Sequence, residues 1–168
     1  MLYLIPTDTC FWLWCAIDDV KSYHKIYSIK KRPTDKPLSI MVLDFTWLEK
    51  NTDLNQKQIE FLKKYKKPFT VLCVCPRIKM LLDFEPEDFN YENNDVYQKI
   101  AFRVAHNDEQ KKLIKEIWPI FLTSANFSWK PEIYDVNEAK IQFEKYQKHM
   151  TFLWKQTKLT KIPPSDIF

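Results

Sequence analysis

IAFRVAHNDEQKKLIKEIWPIFLTSAN, residues 100–126, reads as strand, helix, strand. Ile100 to Val104 is a short apolar run of strand length. Asn107 or Asp108 can cap a helix that continues through Ile117. Ile120 to Thr123 is a second strand, and it leads into Ser124-Ala125-Asn126. The same alternation extends outward. Leu2 to Ile5 reads as a strand stopped by Pro6. Asp18 or Asp19 can cap a helix to about Ser28, with Val20, Tyr23 and Tyr27 on one face. Pro33 disfavours helix at Arg32 and ends it. Pro37 to Leu43 is a buried strand, Asn55 to Tyr65 a helix with Ile59 and Leu62 inward, and FTVLCVC (Phe69 to Cys75) a β-run. Leu81 to Tyr97 reads as an exposed acidic loop. Asp135 caps a helix in which Val136, Ala139, Phe143 and Tyr146 share a face, and Thr151 to Leu153 reads as a last strand. Strands and helices in alternation predict one α/β domain over residues 1–168.

Composition agrees with a folded chain of this size. There are 168 residues, 45% hydrophobic and 15% aromatic, enough to bury a core and too apolar for disorder. No apolar run reaches the roughly 20 residues of a membrane helix. The N-terminal MLYLIPTDTC lacks a basic n-region, so no signal peptide is expected. Net charge is +4. The basic residues cluster: Lys21, Lys25, Lys30, Lys31, Arg32 and Lys36 early, Lys63, Lys64, Lys66 and Lys67 next, Lys155, Lys158 and Lys161 late. Such clusters are solvated faces or contacts to a phosphate-bearing partner. Cys10, Cys15, Cys73 and Cys75 have no metal-ligand spacing and read as reduced core residues.

Glycine is absent altogether, against an average near 7%. This excludes the Gly-rich phosphate loops. It also removes the usual residue for left-handed turns, which falls to Asn, as at Asn93-Asn94. A phosphate site must then use Lys or Arg, hydroxyls and backbone amides at strand ends. Pro6-Thr7-Asp8-Thr9, Lys30-x-Arg32-Pro33 and Thr123-Ser124-Ala125-Asn126 offer these beside predicted strands. Taken singly, each has a plain structural role as a turn, a solvated helix end or a helix cap. No Ser-His-Asp or Cys-His order is present.

In order along the chain stand LIPTDTCFWLWC (4–15), IYSIKKRPTDKPLSIMV (26–42), KKPFTVLCV (66–74), IAFRVAHN (100–107), PIFLTSANFSWKP (119–131) and IPPSDIF (162–168). This series resembles the YrdC-like family of threonylcarbamoyl-AMP synthases over nearly the whole chain. K-x-R-P followed by KPL, together with TSAN-x-S, is the specific part. Typical members begin with a helix and strand before P-T-D-T, where five residues precede Pro6 here. A short form without the C-terminal domain of longer relatives is therefore expected.

The resemblance implies a twisted mixed sheet flanked by helices around a concave basic cavity. It also implies a cytoplasmic nucleotidyltransferase that joins L-threonine, bicarbonate and ATP into threonylcarbamoyl-AMP and pyrophosphate. Mg2+ would accompany ATP, and no protein metal site is expected. A downstream threonylcarbamoyl-transferase complex would use the product to modify tRNA beside the anticodon. By this resemblance Lys30 and Arg32 are catalytic and bind the triphosphate, sharing a side of an extended segment. Ser124 and Asn126 complete the ATP site. Thr9, Arg103, Thr123 and Ser165 hold threonine, with Arg103 as a bidentate fork for the carboxylate. The alternative for Arg103 is an interstrand ion pair, and for Ser124 and Asn126 a helix cap. The alternative function is a double-stranded RNA or tRNA-binding module of the same fold.

Five of the six tryptophans, Trp12, Trp14, Trp118, Trp129 and Trp154, stand where the family pattern has or tends to have glycine. Concentration on one residue type predicts UGA codons read as glycine at the source and written here as tryptophan. Trp12, Trp14 and Trp129 would crowd the expected pocket. Lys31 and Lys67 also replace frequent family glycines, as ordinary substitutions.

Overall fold

A computed structural model describes residues 1–33, 36–76, 99–117, 119–153 and 158–168. The acidic segment from Leu81 to Tyr97, the Asn93-Asn94 pair, Trp118, Trp154 and Lys155 lie outside them. Among the described residues, eight strands form one mixed sheet. They are β1 (Leu2–Pro6), β2 (Phe11–Ala16), β3 (Ser39–Val42), β4 (Phe69–Cys73), β5 (Ile100–Val104), β6 (Ile120–Ser124), β7 (Met150–Phe152) and β8 (Asp166–Ile167). Their order across the sheet is β7-β1-β2-β6-β3-β5-β4-β8. Parallel pairs are β1 with β7, β3 with β5 and β4 with β8; the others are antiparallel. The helices among the described residues are α1 (Val20–Lys30), α2 (Phe45–Asn51), α3 (Gln56–Lys64), α4 (Asp108–Ile117) and α5 (Val136–Phe143), with a 3-10 turn over Glu144–His149. The expected α/β fold with a mixed sheet is thus observed.

Side chains alternate across each strand, so each strand feeds two cores. Phe11, Leu13 and Cys15 of β2, Phe121 of β6 and Phe102 of β5 pack with Tyr23, Ile26 and Tyr27 of α1 and with Ile59 and Leu62 of α3. Trp12, Trp14, Met41, Ile120 and Leu122 face the other way, toward Ile114 of α4. Burying each large apolar side chain contributes about 1.5–3 kcal/mol. Caps follow the sequence. The Asp19 side chain accepts from Ser22 N at 2.9 Å. Asn55 and Gln58 form a reciprocal capping box at the start of α3.

Three elements differ from the sequence expectation. β2 is a strand although FWLWCA shows no alternation, because both its faces are buried. α2 occupies Phe45–Asn51, capped by Asp44, between two expected elements. β8, not the strand at Met150–Phe152, is the last one. The segment Lys30 to Arg32 is not extended either. Lys30 ends α1, and Lys31 turns left-handed at φ 49°, ψ 44°. Arg32 N then donates to Tyr27 O at 3.0 Å. This is a glycine position by geometry, and a lysine there costs roughly 1–2 kcal/mol.

Candidate active site

Across the face opposite α1 and α3, strands β2, β6, β3, β5 and β4 wall a cavity of about 340 Å³. Its lining includes Thr9, Trp12, Arg32, Thr123, Ser124 and Ser165, with Ser39, Thr70, Glu132 and Tyr134. Five of the eight residues expected to form the site therefore meet here. The volume is that of a small-molecule pocket. Its polar groups are mostly neutral hydroxyls, with the Arg32 guanidinium and the Glu132 carboxylate as the charges among the described lining residues.

The loop between β1 and β2 is tied through Thr7, whose hydroxyl donates to Cys10 O at 2.8 Å. This sets Thr9 on the cavity wall, with its hydroxyl 3.1 Å from that of Thr7. Thr9 Oγ1 also accepts from Trp12 Nε1 at 3.0 Å. Ser165 enters from the chain just before β8, with its hydroxyl 3.1 Å from that of Thr70. Arg32 donates through Nε to Lys36 O at 2.9 Å and through Nη2 to Pro37 O at 3.0 Å. Two backbone carbonyls thus orient its fork along the mouth. Cys10 also lines the cavity, but burial pushes its thiol up to about 11. It stays protonated and is no nucleophile at neutral pH.

The remaining three residues stand elsewhere. Lys30 is 1% exposed and lies behind the wall. Its Nζ donates to the carbonyls of Ser124 and Asn126 and lies 3.5 Å from Asn126 Oδ1. Burial, then the Arg32 charge, lower its pKa to about 7. Asn126 is buried too; its Oδ1 accepts from Ser124 Oγ and its Nδ2 donates to Lys130 O. Lys30 and Asn126 therefore brace the turn that carries Ser124, while Arg32 lines the cavity itself.

Arg103 lies beyond Trp12. Its Nη2 donates to both carboxylate oxygens of Asp8, at 2.9 and 3.2 Å. The guanidinium carbon sits 4.8 Å from the centre of the Trp12 ring. Burial lowers its pKa and Asp8 opposes that shift. The ion-pair alternative for Arg103 is thus the observed contact, although its partner is in a loop and not a strand. Among the three tryptophans expected to crowd the pocket and described here, only Trp12 reaches it. Trp14 is fully buried and stacks on Tyr3 with ring centres 4.4 Å apart. Trp129 is 62% exposed beside Phe127. Asp8, Thr70, Glu132 and Tyr134 were not singled out from the sequence. Asp8 and Thr70 lie inside the quoted segments; Glu132 and Tyr134 carry no signal beyond nearness to TSAN.

The family model Sua5_yciO_yrdC, described as telomere recombination, matches residues 1–160. The chain belongs to the Sua5/YciO/YrdC family. Among curated relatives, the threonylcarbamoyl-AMP synthase of Vibrio vulnificus strain YJ016 is 29% identical over 143 residues, 82% of this chain and 71% of that protein. Such synthases are nucleotidyltransferases, the enzyme class expected from the resemblance. Among solved structures, E. coli YciO superposes with a TM-score of 0.75 at 17% identity, covering 99% of this chain and 77% of that one. P. abyssi Sua5 complexed with L-threonine gives 0.69 at 24% identity, covering 94% of this chain and 44% of that one. This chain thus spans less than half of that Sua5. The two structural matches show the Sua5/YciO/YrdC fold. Among the described residues no helix is long and apolar enough to cross a membrane.

Proposed function

We propose that this chain makes threonylcarbamoyl-AMP and pyrophosphate from L-threonine, bicarbonate and ATP. The observation that carries the reading is the convergence of Thr9, Arg32, Thr123, Ser124 and Ser165 on one cavity in a Sua5/YciO/YrdC chain. In this reaction a carbamate oxygen bonds to the α-phosphorus, and the bond to the bridging oxygen of pyrophosphate breaks. Negative charge is spread over the phosphoryl oxygens, so rate comes from positioning and fixed positive charge. A hydroxyl-lined cavity without a low-pKa nucleophile suits that chemistry.

In this reading Arg32 takes phosphate oxygens and Ser124 donates to the nucleotide. Lys30 and Asn126 act as positioning residues through the Ser124 turn. Thr9, Thr123 and Ser165 orient threonine, and Arg103 meets its carboxylate through the edge that Asp8 leaves free. Trp12 stands between Arg103 and Thr9 and holds the Thr9 hydroxyl, so glycine at 12 favours the bound state. Mg2+ would accompany ATP and offset phosphate charge, and Glu132 is the acidic side chain on the wall that would hold it. The product passes to a cytoplasmic threonylcarbamoyl-transferase complex that acts on tRNA. Arg32→Ala and Lys30→Ala should each abolish pyrophosphate release while circular dichroism shows a folded chain. Unchanged turnover in both variants would overturn the assignment.

A further inference from the structure

A second cavity, of about 390 Å³, lies between α4 and the end of β1 and shares no lining residue with the first. Its apolar lining is Ile5, Pro6, Leu113 and Leu153. Glu109, Gln110, Lys112 and Glu116 of α4 supply polar groups, at the three- and four-residue spacings that share a helix face. Lys112 and Glu116 stand one turn apart, yet neither has an ion pair among the described residues. The described lining thus carries two carboxylates against one ammonium. That balance favours a cationic ligand and disfavours an anion.

Gln110 supplies the second observation. It is 3% exposed. Its Oε1 accepts from His106 N at 2.8 Å. That bond fixes the direction of the amide, because a backbone N–H needs the oxygen and not the nitrogen. Nε2 is the other end, buried and without a hydrogen-bond partner among the described residues. Cavities that stay empty are apolar throughout, and a buried donor left unpaired is costly. A carbonyl oxygen would satisfy Nε2. A carboxylate oxygen would also do so, but it would bring its charge beside Glu109 and Glu116. The ligand called for has three parts: an apolar body, an uncharged carbonyl for Gln110 and an ammonium for the acidic side of the helix.

We infer that the cavity between α4 and β1 binds the neutral amide of an apolar amino acid, a small molecule with a free amine and an uncharged carbonyl. The site takes no part in the proposed synthase reaction and does not rest on that reading. Threonine is a poor fit to it, since it brings a carboxylate to the acids and a hydroxyl to an apolar wall.

The test is calorimetric titration of L-leucinamide into the full chain at pH 7 and low salt, where the amine is mostly protonated. Saturable binding at one site is expected. L-Leucine, which puts a carboxylate in place of the neutral carbonyl, should bind about tenfold more weakly. So should 4-methylpentanamide, which lacks the amine. Gln110→Met keeps the length of the side chain and removes the donor, and should weaken L-leucinamide about tenfold. Glu116→Lys reverses a charge at an exposed position, so the fold should persist while binding weakens. That variant decides if Gln110→Met fails to fold. An excess of L-threonine should leave the binding in place. No saturable binding would overturn the inference, and so would L-leucine binding as tightly as its amide. Full binding in Glu116→Lys would overturn it too. Displacement by L-threonine would put the molecule in the first cavity, with the same consequence.

Discussion

Lys30 carries a positive charge into a place with almost no water. Its ammonium is satisfied by two carbonyls of the turn after β6, yet burial and Arg32 still lower its pKa from 10.5 to about 7. The sign of the consequence follows from linkage. Between about pH 7 and 10.5 the unfolded chain holds a proton on Lys30 that the native chain has released. Stability therefore rises with pH across that window, by up to about 1.4 kcal/mol per pH unit. Urea midpoints at pH 7 and 9 should show this rise, and Lys30→Met should remove it. An equal slope in the variant would mean that Lys30 titrates normally. The residue also shows what local reading missed. Its importance is visible in K-x-R-P, but its direction depends on Lys31 adopting positive φ, which a lysine rarely does. Trp12 is similar. Its departure from the family pattern is legible; its position between Thr9 and Arg103 follows from the pleat of β2.

At the scale of elements, β8 is short but holds a wall of the first cavity in place. Phe168 N donates to Thr70 O at 3.0 Å, and Leu72 N donates to Phe168 O at 2.8 Å. The Phe168 ring meets Tyr65 at 5.0 Å and Phe61 at 5.3 Å. These contacts fix Ser165 against Thr70 inside the cavity. Phe168→Ala should cost about 1 kcal/mol, since the ring is 44% exposed and the aromatic pairs are the main loss. Its larger effect should be on KM for threonine, with kcat nearly unchanged. A KM equal to that of the parent chain would show that β8 does not position Ser165. Strands with one dominant apolar run, such as β4, β5 and β6, were readable, and so were helices with a cap and a clear face. β8 is two residues long, β2 is apolar on both faces, and α2 is only two turns. None of these carries enough periodicity to be separated from its neighbours. Their existence depends on partners far along the chain.

At the scale of the whole molecule, the fold sets two cavities of unlike chemistry apart. One is lined by hydroxyls with a single arginine; the other joins an apolar wall to the buried Gln110 amide. The family and the α/β fold were legible because six segments keep their order across residues 4–168. The division into two cavities was not, because Gln110 and Glu116 lie in a surface helix whose approach to β1 only the fold sets. Pyrophosphate release from ATP, with and without threonine and bicarbonate, tests the central claim most directly. It should be measured on this chain and on Trp12→Gly, which frees the Thr9 hydroxyl and opens the wall toward Arg103. Release that requires both co-substrates, and that is faster with glycine at 12, is the predicted result. Release indifferent to threonine, or none from two folded proteins, would contradict the synthase assignment.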